Sequence, residues 1–93
     1  VANFGHAGDG NIHVNFVIDR DDADAIARAR QCVSETFQIS VDLGGTISGE
    51  HGIGYVKSQY MHYAIDRPTL EIMKAIKKVF DPNGILNPGK MFV

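Results

Sequence analysis

The sequence predicts an α+β fold, a small antiparallel sheet with helices packed on one face. Residues 12–18 alternate between apolar and polar side chains, as a half-buried strand does. Ala2 and Phe4, two residues apart and both apolar, weakly indicate a partner strand before it. Residues 22–42 and 68–80 instead repeat apolar side chains at helical spacing.

The two predicted strands form a hairpin, because Asp9-Gly10 between them is a plausible chain reversal. In the second strand the alternating apolar residues predict a face turned to the core, and His13 and Asn15 then stand on the opposite face, where they can line a cleft. His6 and His13 lie at the mouths of the paired strands and could approach each other. The predicted core-facing residues are Ile12, Val14, Phe16 and Ile18.

A first helix is predicted at about residues 22–42. The acidic stretch from Asp19 to Asp24 can cap its start, where carboxylates favour the positive end of the helix dipole. Gly44-Gly45 ends it. Its apolar stripe consists of Ile26, Ala29, Val33, Phe37 and Val41.

Two further helices are predicted after a glycine-rich segment, residues 44–54, in which five of eleven positions are glycine. A short helix runs from Tyr55 to about Ala64 and turns Val56, Tyr60 and Met61 inward. Another begins near Pro68, which a first helical turn tolerates, and ends at the turn-forming residues 81–84. The apolar stripe of this last helix is Leu70, Met73, Ile76, Val79 and Phe80.

Composition and charge indicate the class of protein. The 93 residues are 44% apolar and 22% charged, which is typical of one small globular domain. A net charge of −2 gives no electrostatic reason to expect nucleic acid as a partner. Because the chain begins at Val1 and residues 1–4 already resemble a strand, we expect a piece of a longer protein; the alternative is a small processed protein.

Two glycine-rich loops carry the residues that suggest chemistry. His6 and His13 bracket the first loop, and Glu50 lies in the second. Imidazole nitrogen and carboxylate oxygen suit zinc, manganese or ferrous iron, and three protein ligands leave positions open, as a catalytic metal requires. The alternative is that each histidine only hydrogen-bonds to loop backbone.

Glu50 and His51 are neighbours, and in an extended backbone their side chains would point apart. We therefore expect Glu50 to hold the metal while His51 acts as general base, the role that imidazole fills most often. In the other interpretation Glu50 caps its loop and His51 is a surface residue.

Three segments follow one another in a characteristic order: His6-Ala7-Gly8-Asp9-Gly10-Asn11-Ile12-His13, the run from Gly44-Gly45-Thr46 to Gly52-Ile53-Gly54, and Phe80-Asp81-Pro82-Asn83-Gly84-Ile85-Leu86-Asn87-Pro88-Gly89-Lys90. In this order they resemble the C-terminal part of FAD-linked oxidases, in particular the group of the glycolate oxidase FAD subunit, D-lactate dehydrogenase and D-2-hydroxyglutarate dehydrogenase. The resemblance covers essentially the whole chain.

The resemblance implies that residues 1–93 are one domain, the later portion of a ferredoxin-like C-terminal domain that covers a flavin and supplies the substrate and metal site. FAD would be bound mainly by an N-terminal domain outside this chain, so we expect the chain alone to be inactive. By the same motifs, His6, His13 and Glu50 are metal ligands and His51 is the base. Two further residues are implied, namely Asn15 as a substrate contact and Asn87 as a flavin contact.

The sequence thus predicts part of a flavin-dependent D-2-hydroxyacid dehydrogenase that uses FAD and a divalent metal (zinc, manganese or iron). Expected partners are a small 2-hydroxy acid, the N-terminal FAD domain of the same protein, an electron-transfer subunit and a second copy of the chain. The expected location is the cytoplasm, or the periphery of the inner membrane through partner subunits. Two alternatives stay open: a metal-dependent hydrolase, and a catalytically silent α+β association domain.

Overall fold

A computed structural model describes residues 1–92 and confirms the predicted α+β class. The chain groups into two compact units, Val1–His51 and a second unit that begins at Gly52, and each is described here by itself. The first unit holds a two-stranded antiparallel sheet and one long helix; the second holds two helices. The elements are β1 (Ala2–His6), β2 (Asn11–Asn15), α1 (Ala23–Asp42), α2 (Met61–Ala64) and α3 (Arg67–Phe80).

The hairpin reverses where the sequence predicted it. A 3₁₀ turn at Ala7–Asp9 leads into Gly10, whose φ of 69° lies in the left-handed region. Glycine adopts that conformation without the steric cost that a Cβ would add. The Gly10 amide donates to the carbonyl of Ala7 at 3.1 Å, which closes the turn and brings β2 back along β1.

The predicted core face of β2 is wrong for this structure. Ile12 is 63% exposed and Val14 is exposed as well, whereas His13 on the other face is half-buried. The strand also ends at Asn15, before the alternation stops at Ile18. Alternation identifies which face of a strand can be buried, but burial itself needs a covering layer, and the described residues leave this apolar face open to solvent.

Helix α1 matches its prediction at both ends. The Asp22 side chain accepts hydrogen bonds from the backbone amides of Asp24 and Ala25, at 3.1 and 3.0 Å, which satisfies two donors that the first helical turn leaves open. At the other end Leu43 caps the helix and Gly44 follows with a φ of 85°. The predicted apolar stripe, from Ile26 to Val41, is the half-buried side of the helix.

The short helix predicted from Tyr55 to about Ala64 is shorter than expected. A 3₁₀ turn occupies Ser58–Tyr60, and α2 adds only the single turn Met61–Ala64. The Ser58 hydroxyl donates to the Tyr55 carbonyl at 2.6 Å and so satisfies that carbonyl outside a helix, a competition typical of serine. Met61 is buried as predicted, but Val56 is exposed.

Helix α3 begins at Arg67, where the Asp66 side chain accepts from the amide of Thr69 at 2.9 Å and Pro68 occupies the first turn. Only part of its apolar stripe is covered. Leu70 and Met73 are half-buried, whereas the stripe's remaining residues, Ile76, Val79 and Phe80, are exposed.

No helix among residues 1–92 combines the length and the apolar character that a membrane crossing requires.

Candidate active site

The register of the hairpin places four polar residues on one face of the sheet, namely His6, Asn11, His13 and Asn15. Phe4 pairs with His13, and His6 pairs with Asn11. Directly opposed residues of an antiparallel pair project to the same side of the sheet, and residues two apart along a strand share that side. The prediction that His13 and Asn15 face away from Ile12 is therefore confirmed. The complete face consists of Ala2, Phe4, His6, Asn11, His13 and Asn15.

Glu50 reaches this face from the glycine-rich segment that follows α1. Its Oε1 lies 3.1 Å from Nε2 of His13, although the two residues are 37 positions apart in the chain. The His13 ring also stacks on the ring of Phe4, with 5.0 Å between centroids. One imidazole thus contacts both an aromatic ring and a carboxylate.

His51 joins the same group, contrary to the expected divergence of neighbouring side chains. Its Nε2 lies 3.7 Å from Oε1 of Glu50, and its ring centroid is 6.0 Å from that of His13. The backbone is bent rather than extended at Gly49–His51, and Gly52 follows with a φ of 71°. The alternation rule for extended chain does not apply to a bend, so both side chains can turn to the same side.

Three residues therefore present metal-binding atoms close together. Among residues 1–92, His13, Glu50 and His51 each offer one such atom within 4.8 Å of the others. Imidazole nitrogen with carboxylate oxygen is a donor set that zinc, manganese and ferrous iron accept. By its donors and their spacing, the group fits a divalent ion.

His6 is the predicted ligand that lies outside this group. It stands opposite Asn11 on the same face, at the end of β1 where the 3₁₀ turn starts. The structure thus brings together two of the three predicted ligands, His13 and Glu50, and adds the predicted base, His51.

The Glu50 carboxylate is surrounded by groups that favour its charged form. A hydrogen bond from the Asn11 side chain is the largest influence that lowers the pKa of Glu50, followed by the bond to His13; burial opposes both. The nearby His51 and His13 add a smaller electrostatic effect in the same direction. A carboxylate that stays ionised is the form that can bind a cation or stabilise a protonated imidazole.

Asn11 is a residue of this site that the sequence analysis did not name. A signal for it was present, because Asn11 is two positions before His13 and belongs to the same alternation that singled out His13 and Asn15.

The two remaining predicted contacts are asparagines. Asn15 closes the far end of the face, where its amide donates to the Ala2 carbonyl at 3.3 Å. Asn87 belongs to the second unit and has a φ of 48°, in the left-handed region that asparagine enters more readily than most residues.

Comparison with known proteins identifies the family to which the sequence is similar. Residues 1–91 match the family described as FAD linked oxidases, C-terminal domain. Among curated proteins, glycolate oxidase subunit GlcD of Bacillus subtilis is 46% identical over 92 residues, covering 99% of this chain and 20% of that protein.

Two other relatives have different names. D-2-hydroxyglutarate dehydrogenase of Stutzerimonas stutzeri is 46% identical over 94 residues, covering 96% of this chain and 20% of that protein. D-lactate dehydrogenase of Anaerostipes hadrus is 40% identical over 92 residues, covering 98% of this chain and 19% of that protein. The chain spans about a fifth of the length of these relatives. No solved structure matches it significantly.

Proposed function

Since the chain belongs to the family of FAD linked oxidases, C-terminal domain, we propose that it forms the substrate side of a flavin-dependent enzyme that oxidises 2-hydroxy acids to 2-oxo acids. The observation that carries the proposal is the convergence of His13, Glu50 and His51, whose possible ligand atoms lie within 4.8 Å of one another. The family match adds the expectation of a flavin as the oxidant.

The substrate class follows from what the relatives' names share. Glycolate, D-lactate and D-2-hydroxyglutarate are all carboxylates with a hydroxyl on the adjacent carbon. An acid of this kind offers two oxygens at a fixed separation, and oxidation removes one proton from the hydroxyl and one hydride from the carbon. The site must therefore hold two oxygens and accept one proton.

A divalent ion would be held by His6, His13 and Glu50 in this proposal. His13 and Glu50 are already in contact through Nε2 and Oε1, and His6 is on the same face of the hairpin. Such an ion lowers the pKa of a hydroxyl that it binds and stabilises the negative charge that develops on the oxygen.

His51 would be the base that takes the hydroxyl proton. Its side chain is 79% exposed, so a substrate can reach it, and its Nε2 lies 3.7 Å from Oε1 of Glu50. The Glu50 carboxylate stabilises the imidazolium that forms when Nε2 accepts the proton. FAD, bound by a separate domain, would accept the hydride from the substrate carbon.

Two asparagines complete the proposed contacts. Asn15 lies on the same face as His13 and would orient the substrate from the end of β2. Asn87 would contact the flavin. The partners proposed for the whole protein are its own FAD domain and an electron-transfer subunit that reoxidises the flavin.

The family match favours this function over a metal-dependent hydrolase, which would use the same ligands to activate water and would need no flavin. It also favours catalysis over a silent association domain, since the relatives are named as oxidases and dehydrogenases.

Replacing His51 in the full-length flavoprotein tests the base. We expect His51→Ala to slow flavin reduction by glycolate, D-lactate or D-2-hydroxyglutarate about 10²- to 10⁴-fold, the usual contribution of a positioned general base. Rapid-mixing absorbance of the flavin measures this step directly. His62→Ala is the matched control, because His62 is an exposed histidine in α2 that stacks on Tyr63. Reduction at an undiminished rate in His51→Ala would refute the base, and reduction by none of these acids in the wild type would refute the substrate class.

A further inference from the structure

We infer that Asn11 is a positioning residue of this site: its side-chain amide, seated against Gly49, holds the Glu50 carboxylate towards His13 and His51. The inference rests on the proposed function and adds to it a residue that neither binds substrate nor moves a proton.

The first step is the placement of Asn11. It opens β2 two residues before His13, so its side chain is on the same face as the His13 ring. The Asn11 side chain also lies against Gly49, the residue before Glu50. A hydrogen bond from this side chain is the largest influence that lowers the pKa of Glu50. Glu50 therefore has two polar neighbours on this face, Asn11 and His13, and Nε2 of His13 lies 3.1 Å from its Oε1.

The second step is the space at Gly49. A Cβ built on Gly49 would overlap Oδ1 of Asn11 and come within 2.7 Å of its Cγ. The Asn11 amide thus occupies the volume that any other residue at position 49 would fill. This seat places the Asn11 side chain against the backbone of the residue that precedes Glu50.

The requirement for glycine at position 49 is one of space and not of backbone conformation. Gly49 has no φ in the left-handed region, whereas Gly52 has a φ of 71° with no atom within 4 Å of its hypothetical Cβ. The two glycines of the same loop are therefore needed for different reasons. Gly52 shapes the bend, and Gly49 admits a side chain from another strand.

The consequence is a fixed direction for Glu50. An exposed glutamate has several rotamers, and only some of them bring Oε1 within 3.1 Å of His13 and 3.7 Å of His51. A hydrogen bond from a strand residue selects among them. Residues that orient a metal ligand in this manner usually change metal affinity or activity about 10- to 100-fold when removed.

The test is a double-mutant cycle in the full-length protein, with zinc as the probe and competition against a chelating dye as the measurement. We expect Asn11→Ala and Gly49→Ala each to weaken zinc binding about 10- to 100-fold. In the double variant the new Cβ meets no amide, so the combined loss should be close to that of Asn11→Ala alone rather than the product of both. Gly54→Ala is the matched glycine control, because no atom lies within 4 Å of its hypothetical Cβ and its φ is not left-handed.

A second readout needs no metal. In the metal-free protein, ¹⁵N-histidine NMR should show the His13 ring signals shifted by Asn11→Ala and by Gly49→Ala but not by Gly54→Ala. Independent, multiplicative losses in the zinc cycle, or unchanged His13 signals in both variants, would overturn the inference. If wild-type protein binds no zinc, the metal in the proposed function fails, and the His13 signals alone then decide the role of Asn11.

Discussion

Glu50 is the residue on which the site converges, because its Oε1 contacts Nε2 of His13 and lies near Nε2 of His51. The sequence analysis predicted that Glu50 is a metal ligand and His51 a general base, because it assumed that their side chains point apart. The bend at Gly49–His51 removes that assumption. The proposed metal site takes His6 as its second imidazole, and His51 is the residue that the geometry offers in its place.

Zinc affinity and flavin reduction separate these candidates at the level of single residues. If His6 is a ligand and His51 is the base, His6→Ala should weaken zinc binding by more than the roughly 10- to 100-fold typical of an indirect partner. His51→Ala should leave zinc affinity near the wild-type value and slow flavin reduction instead. Dye competition with zinc, carried out on the full-length protein, measures the first quantity.

The opposite result would reassign the residues. Strong zinc loss in His51→Ala, with none in His6→Ala, would make His13, Glu50 and His51 the ligands, which is the grouping that the geometry presents. His62→Ala serves again as a histidine outside the group.

Asp81 shows how a single carboxylate can organise a junction between elements. It caps the end of α3 and is only 7% exposed. Its side chain accepts hydrogen bonds from the amides of Ile85 and Leu86 at 3.0 and 3.1 Å. Lys77, one turn earlier in α3, donates to it at 2.6 Å. These contacts join the last turn of α3 to the segment that carries Asn87.

The charge of Asp81 gives this junction a pH dependence. The Lys77 hydrogen bond is the main cause that lowers the pKa of Asp81, with help from the amides of Leu86 and Ile85 and against the effect of burial. A carboxyl with a lowered folded-state pKa stabilises the fold at pH values above its unfolded pKa of about 4. That stabilisation is lost as the pH falls through the lower, folded-state pKa.

We therefore expect Asp81→Asn to lower the melting temperature by several degrees at pH 7, and the difference from wild type to shrink as the pH falls from 4 towards 2. Circular dichroism melts at a series of pH values measure both effects. Asp42→Asn, which changes an exposed carboxylate at the end of α1, is the control and should have little effect. A constant difference across the pH range would contradict the role of the Asp81 charge.

At the scale of the whole molecule, the chain leaves much apolar surface open. The large exposed apolar side chains include Phe4 and Ile12 of the hairpin and a row along α3. Ile72, Ile76 and Val79 follow one another at helical spacing and so form an exposed stripe on that helix. This exposed stripe shares only Ile76 and Val79 with the apolar stripe predicted from the sequence. An exposed stripe of this kind is typical of a surface that another polypeptide covers.

The stripe predicts that the 93-residue chain, expressed alone, associates with itself. Ile72→Glu and Ile76→Glu should each shift the sedimentation velocity distribution towards monomer, because a charge in a buried apolar contact is costly. Lys78→Glu also introduces a carboxylate on α3, by reversing a charge at an exposed position outside the stripe, and should leave association unchanged. A wild-type chain that is monomeric at every concentration would refute this prediction.

Local patterns in the sequence determined the elements and most of the candidate residues. Helical spacing gave α1 and α3, acidic residues gave the cap at Asp22, and alternation placed His13 and Asn15 on one face of the hairpin. These signals succeed because helix and strand periodicities act over a few neighbouring residues. The motifs likewise indicated the family that the comparison confirms.

Only the tertiary structure decided which residues meet. His13 and Glu50 are in contact although they are 37 positions apart in the chain. The seating of Asn11 against Gly49 depends on the same approach of the glycine-rich segment to β2. It also decided that the apolar face of Ile12 is open, and that His51 turns towards Glu50. Periodicity fixes a direction within one element, whereas distances between elements depend on how the loops bend and on which surfaces are covered.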